Sequence, residues 1–366
     1  MEPPLGSEVP ARIARAIAAV ELPDPAWSDR AADRHRSLTM PPGSLGRLLD
    51  LGRQLAAIQR TDRPRADPAL VAVFAADHGV AEAGVSAYPQ AVTGQMVANY
   101  LNGGAAVNVL ARRNGLEIRV VDLGVRSLPE GLGRHPGLIS RPIGPGTANA
   151  LGGPAMTHAE AFRAFAVGLD LAEAWVDGPE GFRVVALGEM GIGNTTTAAM
   201  LAAALAGATP DRVVGPGTGV DAAGVRRKVE VVEQALARHL TPTADVWDVL
   251  AGLGGFEILG LAGLAVGAAK GRGMVVLDGF ISSVAGLVAA TLCPAVARSL
   301  VASHLGPEPG HRVVLEALGL EPLLALGLRL GEGTGAALAF PMIASAADIL
   351  RDMATFESAA VAGPST

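Results

Sequence analysis

Two glutamates occupy positions that packing alone does not explain. Glu332 stands between glycines in Gly331-Glu332-Gly333-Thr334-Gly335, and Glu189 opens Glu189-Met190-Gly191-Ile192-Gly193-Asn194-Thr195-Thr196. A carboxylate at the mouth of such a turn lies among backbone donors and apolar neighbours such as Leu330, where desolvation raises its pKa. A general base that takes a proton from a substrate N–H needs that placement. An isolated turn glutamate is more commonly a solvated surface residue. Two placed alike favour the reading as catalytic carboxyls.

The turns themselves suggest what lies beside them. Gly215-Pro216-Gly217-Thr218-Gly219 repeats the lettering and Gly144-Pro145-Gly146-Thr147 echoes it. Glycines let the backbone approach an anion closely, and the first N–H groups of the following helix lack internal partners. A phosphate is the natural ligand of such turns, although glycine turns between strands and helices are often structural. Lys228 and Lys270 are the two lysines in a chain that otherwise uses arginine. Lys228 follows the Gly217 turn in a helix expected to start near Asp221, so its ammonium is a candidate point charge for phosphate; a solvated helix lysine is the alternative. No Gly-Lys-Ser/Thr P-loop, no G-x-G-x-x-G dinucleotide fingerprint, no G-x-S-x-G elbow and no H-E-x-x-H helix occurs. Paired aspartates able to hold a magnesium pyrophosphate are missing too. The expected ligand is a phosphate monoester on a small molecule, with neither metal nor cofactor. His78 is a weaker catalytic candidate, since a histidine at a strand end often just bonds backbone, and the spacing of Ser303-His304 and Glu308-Pro309-Gly310-His311 fits no common metal-ligand pattern.

These turns need a rigid frame. Leu70–Ala76, Glu117–Val121, Phe182–Leu187, Met274–Leu277 and Ser299–Ala302 are short apolar runs, each ending in glycine or a polar residue; most lead into alanine-rich helices. That alternation predicts an α/β fold with a Rossmann-like parallel sheet flanked by helices, its strands apolar throughout because both faces are covered. Arg12–Leu22, Pro25–Ser37, a helix capped by Ser44 with Leu45, Leu48, Leu49, Leu55 and Ile58 along one face, and Ala336–Met353 complete the helical elements. They give a division into an N-terminal helical segment (1–65, with 1–10 expected to be disordered), a large domain (66–335) and a C-terminal helix (336–366) that completes a small helical domain. Of the 366 residues, 50% are hydrophobic and 17% charged, which supports a large buried core. The net charge of −6 and 4% aromatic content argue against a nucleic-acid partner. The uncharged stretch between Asp278 and Arg298 is long enough to test as a membrane span, but its serines and Pro294 favour a buried helix. Met1-Glu2-Pro3-Pro4 has no apolar run behind it, so no signal peptide is expected. A single cysteine, Cys293, expected to be a buried thiol, fits a reducing, cytoplasmic compartment.

Taken together, the segments resemble the nicotinate-nucleotide–dimethylbenzimidazole phosphoribosyltransferase family, enzymes that prepare the lower ligand of cobalamin. The resemblance is carried by Pro41-Pro42-Gly43-Ser44-Leu45-Gly46-Arg47-Leu48, Phe74 to Val80, Gly84 to Pro89, Gln95 to Asn99, Gly103 to Ala106, Gly188 to Thr196, Gly217 to Gly219, Leu277 to Phe280, Arg329 to Ala336 and Met353 to Phe356. It implies a homodimer acting on nicotinate mononucleotide and 5,6-dimethylbenzimidazole, and giving α-ribazole 5′-phosphate and nicotinate. It makes Glu332 the general base, with Glu189 favouring positive charge at C1′. It puts Ser86, Tyr88, Gln95, Met190 and Leu330 around the aromatic base, and Gly191, Gly193, Asn194, Gly217 and Lys228 around ribose and phosphate.

The chain departs from that pattern twice. Met40 stands where relatives often carry lysine, and the family's S-H-x-S-x-E-x-G-H reads Ser303 to His311 with Gly306 in place of the second serine. The alternatives are a related transferase that prefers another base (benzimidazole, a purine such as adenine, or a phenol) and a nucleotide-binding regulator without turnover. The absent fingerprint disfavours a dehydrogenase.

Overall fold

The structure, a computed structural model, describes residues 5–363. Helices α1 (Leu5–Ala18), α2 (Pro25–Ser37) and α3 (Arg47–Gln59) precede β1 (Ala69–Ala76), and α4 (Ala91–Leu101) and α5 (Ala106–Asn114) lead to β2 (Glu117–Gly124) and β3 (Leu138–Ser140). Helix α6 (His158–Ala172) then crosses to β4 (Val184–Met190). Helices α7 (Asn194–Ala206), α8 (Pro210–Val213), α9 (Ala222–His239), α10 (Val246–Leu253) and α11 (Phe256–Lys270) separate β4 from β5 (Met274–Leu277). Helix α12 (Phe280–Leu292), β6 (Leu300–Ala302), α13 (Pro309–Leu318) and α14 (Thr334–Asp352) end the chain.

The strands form one sheet in the order β3-β2-β1-β4-β5-β6, every pair parallel. Residues of β1 alternate between two buried layers, which is why the strand is apolar at every position. Leu70, Ala72 and Phe74 face a layer with α1, α6, α7 and α9 to α12, while Val71, Val73 and Ala75 face α3, α4, α5 and α14. The five strands expected from sequence are present with ends shifted by a few residues at most. The sixth, β3, escaped notice because three residues at a sheet edge carry too little apolar signal.

Helices α2, α3 and α14 pack together at the chain's two ends. Arg34 of α2 donates to the free carbonyls of Leu350, Arg351 and Met353 at the end of α14. Helix α1 does not join them; it lies across the sheet against α6 and α11. It also begins at Leu5, inside the 1–10 stretch expected to be disordered, whose Met1–Pro4 portion lies outside the described residues. Helix α3 starts at Arg47 after Gly46, with no side-chain cap, so Ser44 is a turn residue rather than an N-cap, and Leu45 is 36% exposed. No described helix is long and apolar enough to cross a membrane; the uncharged stretch forms the buried α12.

Candidate active site

In an open parallel sheet, ligands sit beyond the carboxyl ends of the strands where the order switches. Here the chain runs from β1 out to β2 and β3 and then returns through α6 to β4 on the other side of β1, and a cavity of about 440 Å³ opens over the ends of β4, β5 and β6. Three of the four glycine turns meet there. The fourth does not: Gly146 is folded onto β1, where a Cβ would lie 2.8 Å from the Asp77 carbonyl, and Thr147 donates its N–H to that carbonyl.

Glu332 is 7% exposed in the cavity wall and has φ +64°, between Gly331 at +81° and Gly333 at +92°. A left-handed non-glycine residue is strained and persists only where its surroundings fix it. Asp278, at the end of β5, does the fixing. Its carboxylate accepts from Gly333 N at 2.9 Å, Gly335 N at 2.6 Å and Ala336 N at 3.0 Å, capping α14 from outside. Asp77 plays a related part for the neighbouring turn. Thr93 donates to Asp77 at 2.7 Å and accepts from Ile192 N at 3.1 Å, so β1 and α4 hold the β4–α7 turn.

The two glutamates are neighbours. A Cβ on Gly331 would lie 2.6 Å from Glu189 Oε1. Asn194 donates its side-chain N–H to Glu189 Oε2. Burial, then the charges of Glu257 and Asp278, push the Glu189 carboxyl up to about 8. Glu332 is also raised by burial, but the Tyr100 hydroxyl opposes that rise. The Tyr100 hydroxyl is buried beside Glu332, and burial together with both glutamates drives its own pKa up. Near neutral pH the pair therefore divides into a carboxyl that keeps its proton and one readier to release it, the separation that lets two acids take different roles. Gly331→Ala should push Glu189 and Glu332 apart and lower kcat at least about tenfold. Gly219→Ala, at φ +103° with open space around it, should cost about 1 kcal/mol of stability and little turnover; paired kinetics and melting curves check both.

Of the residues named from sequence, Tyr88, Met190, Gly191, Asn194, Gly217 and Leu330 line the cavity, with Val92 and Met96 adding to its apolar side. Four expected residues do not reach the wall. Ser86 bonds Thr218 at 3.3 Å, Gln95 is exposed on α4, and Gly193 caps α7. Lys228 is fully buried behind the Gly217 turn, donating to Gly215 O at 2.9 Å and Thr195 Oγ1 at 3.1 Å. Burial lowers its pKa to about 8 against the pull of Glu308. Glu308, weighed in the sequence only as part of a disfavoured metal group, accepts from Gly217 N at 2.9 Å. His78 is a buried framework residue, 2.7 Å from Glu257 and 2.9 Å from Thr197. Cys293 is buried, its thiol 3.7 Å from the Ile17 carbonyl. Asp278, Thr93 and Tyr100 were also missed, since each acts through contacts remote in sequence.

Residues 20–361 match the model of a family described as phosphoribosyltransferase, which spans nearly the whole chain. That match covers well over half of the chain, and the chain is a phosphoribosyltransferase. Within that class it is 51% identical over 338 residues to the nicotinate-nucleotide–dimethylbenzimidazole phosphoribosyltransferase of Ralstonia nicotianae, covering 92% of this chain and 94% of the relative. The enzyme of the same name from Azotobacter vinelandii is 52% identical, covering 91% and 93%. The crystal structure of the Thermus thermophilus enzyme of that name superposes with a TM-score of 0.86 at 46% identity, over 93% of this chain and 100% of that one. The chain belongs to the nicotinate-nucleotide–dimethylbenzimidazole phosphoribosyltransferase family.

Proposed function

We propose that this enzyme moves the 5-phosphoribosyl group of nicotinate mononucleotide to 5,6-dimethylbenzimidazole, giving α-ribazole 5′-phosphate and nicotinate. Glu332 accepts the imidazole N–H proton while the other ring nitrogen forms its bond to ribose C1′. The bond from C1′ to the pyridinium nitrogen breaks on the opposite face, its electron pair returns to that nitrogen, and the configuration inverts. The leaving ring departs neutral at nitrogen, so the step asks chiefly for in-line alignment of the two rings, an effect worth roughly 7–11 kcal/mol at best. Glu189, once ionised, favours positive charge developing at C1′.

The observation that carries this reading is the buried Glu332, held in a strained turn on the cavity wall beside apolar Met190 and Leu330. The apolar side of the cavity, made by Val92, Met96, Met190 and Leu330, suits a dimethylated bicyclic ring. Incubating the protein with nicotinate mononucleotide and a panel of benzimidazoles, purines and phenols, followed by mass spectrometry, tests it. The expected result is release of nicotinate with α-ribazole 5′-phosphate as the favoured product; no transfer to any base overturns the reading.

Lys228 supports the phosphate from behind the Gly217 turn. Lys228→Ala should raise KM for the nucleotide about tenfold or more and leave KM for the base nearly unchanged; equal effects on both remove Lys228 from the phosphate site. We also infer a homodimer, because Tyr88 and Leu330 stand 55% and 58% exposed at the cavity mouth, where a second copy would cover them; sedimentation at twice the chain mass is expected. The buried single cysteine supports a cytoplasmic location. Residues 66–335 serve as the large domain, with α2, α3 and α14 as the small one.

A further inference from the structure

The chain fills its core with phenylalanine, and Phe74, Phe165, Phe182 and Phe256 are all fully buried. Tyr100, near the end of α4, is the exception at 2% exposure, since the other tyrosine, Tyr88, stands at the cavity mouth. A hydroxyl enclosed without a bond is a cost that phenylalanine would avoid. Apart from Glu332, no described group offers that hydroxyl a hydrogen bond. A core position that carries an oxygen with one use for it asks what that use is.

The ring is held in place by its neighbours in the chain. Asn108 of α5 donates its side-chain N–H to the Tyr100 carbonyl at 3.0 Å, and Gly103 N donates to the same oxygen at 3.1 Å. Two turns earlier on α4, Thr93 is tied to Asp77 and to Ile192. The Glu332 turn leans on the same layer. A Cβ on Gly333 would lie 2.5 Å from Val71 Cγ1 and 3.7 Å from Val107 Cγ2, and both valines belong to the apolar cluster that holds Tyr100. Glu332 lines the cavity and Tyr100 does not, so the hydroxyl meets the carboxyl from the core side. Around Glu332 stand Asp278 from β5 and Glu189 from β4, with Glu257 of α11 acting on Glu189; elsewhere in the wall are Arg329, Glu308, His304 and His311. Burial and Asp278 push the Glu332 carboxyl up, and Tyr100 is the side chain that opposes them. Tyr100 keeps its own proton, because its surroundings drive its pKa well up, so toward a carboxylate it acts as a donor.

The proposed reaction needs this carboxyl ionised before the imidazole proton arrives, with one oxygen turned to the cavity. We propose that Tyr100 is the positioning residue of the base: its hydroxyl donates to one Glu332 oxygen from the core and leaves the other free for the imidazole N–H. This rests on the reading of Glu332 as the base. The donor favours the ionised carboxyl. When the substrate proton lands on the cavity-facing oxygen, the Tyr100 proton stays on its own oxygen, so one proton moves and Tyr100 is unchanged by the step. Phenylalanine in its place leaves the carboxyl without that donor, free to turn and protonated further up the pH scale.

The test is Tyr100→Phe, which removes one oxygen and keeps the buried ring, so the variant should melt no lower than wild type. The ratio of variant to wild-type kcat/KM for the benzimidazole is followed across pH, since the substrate's own titration cancels in it. The expected ratio is about 0.1 on the acid side and rises toward unity as pH increases, the mark of a base whose pKa has moved up by about one unit. KM for the nucleotide should stay unchanged. A ratio equally low at every pH, with a lowered melting temperature, marks a structural role and overturns the proposal. Infrared spectroscopy reads the pair without turnover, from the protonated-carboxyl band that Glu332→Gln removes. In Tyr100→Phe that band should persist to a pH about one unit higher; a band that titrates alike in both proteins overturns the proposal. A band that moves while the ratio stays near unity overturns Glu332 as the base, and with it the positioning role, leaving only the contact between the two residues.

Discussion

Glu332→Gln lowers kcat by about 10²- to 10⁴-fold and leaves nicotinate mononucleotide binding nearly unchanged. That range is what a positioned general base contributes. The amide keeps the size of the carboxyl and the left-handed turn, so Asp278 still clamps Gly333, Gly335 and Ala336. What is lost is an acceptor able to hold the imidazole proton as the N–C1′ bond forms. Steady-state release of nicotinate measures kcat, and calorimetry of the nucleotide measures binding. Turnover equal to wild type removes Glu332 as base. A fall in binding as large as the fall in kcat would recast it as a substrate-holding group, since an interaction made only in the transition state lowers kcat without weakening the ground state. Replacing the benzimidazole by an N-methylated one, which has no proton to lose, should give a poor substrate for wild type and variant alike.

The site's location has a physical reason in the sheet. The strand order is that of dinucleotide-binding folds, where the first βα turn cradles a pyrophosphate. Here β1 ends in Asp77-His78-Gly79, and a Cβ on Gly79 would lie 2.5 Å from Ala148 C. The Gly144–Thr147 turn has closed that position, and His78 is tied to Glu257 and Thr197. The cavity lies instead at the ends of β4, β5 and β6, where Gly188 lets the Glu332 turn approach so closely that a Cβ would meet its carbonyl at 2.6 Å.

Residue spacing made the parallel sheet legible, because strands covered on both faces leave unbroken apolar runs such as Leu70–Ala76 and Met274–Leu277. It also made the two glutamate turns legible, since Glu332 stands between two glycines and Glu189 follows Gly188 at the head of a second glycine turn. It did not reveal which glycine turns share a cavity: Gly144–Thr147 and Gly215–Gly219 read alike, and only the third dimension separates a turn packed on Asp77 from one facing ligand. Nor did it reveal Asp278, which looks like an ordinary strand-end aspartate until α14, more than fifty residues on, places three N–H groups on it. The helical layer was half legible. Helices α3 and α14 carry apolar stripes that fit each other, but an apolar stripe does not say on which side of a sheet it will lie, and α1 went to the opposite face.

Glu189→Gln should make the protein more stable and the enzyme slower, with the stability gain growing as pH rises. The carboxyl has a pKa pushed up to about 8 from an ordinary value of 4.5. Between those limits the folded chain holds a proton that the unfolded chain has released, so stability is full below about pH 4.5 and is lost as pH rises through about 8. An amide has no such proton. Each unit of raised pKa is about 1.4 kcal/mol, and with relaxation around Glu257 and Asp278 the variant should gain roughly 2–4 kcal/mol over wild type at pH 9 and little at pH 5. Urea unfolding at a series of pH values reads this directly; parallel curves for the two proteins would show that Glu189 does not carry the burden. Above about pH 8, where the carboxyl ionises, turnover should fall about 10- to 100-fold, because the amide never supplies the negative charge that favours a cationic C1′. Opposite signs of the two measurements separate the proposed catalytic role of Glu189 from packing.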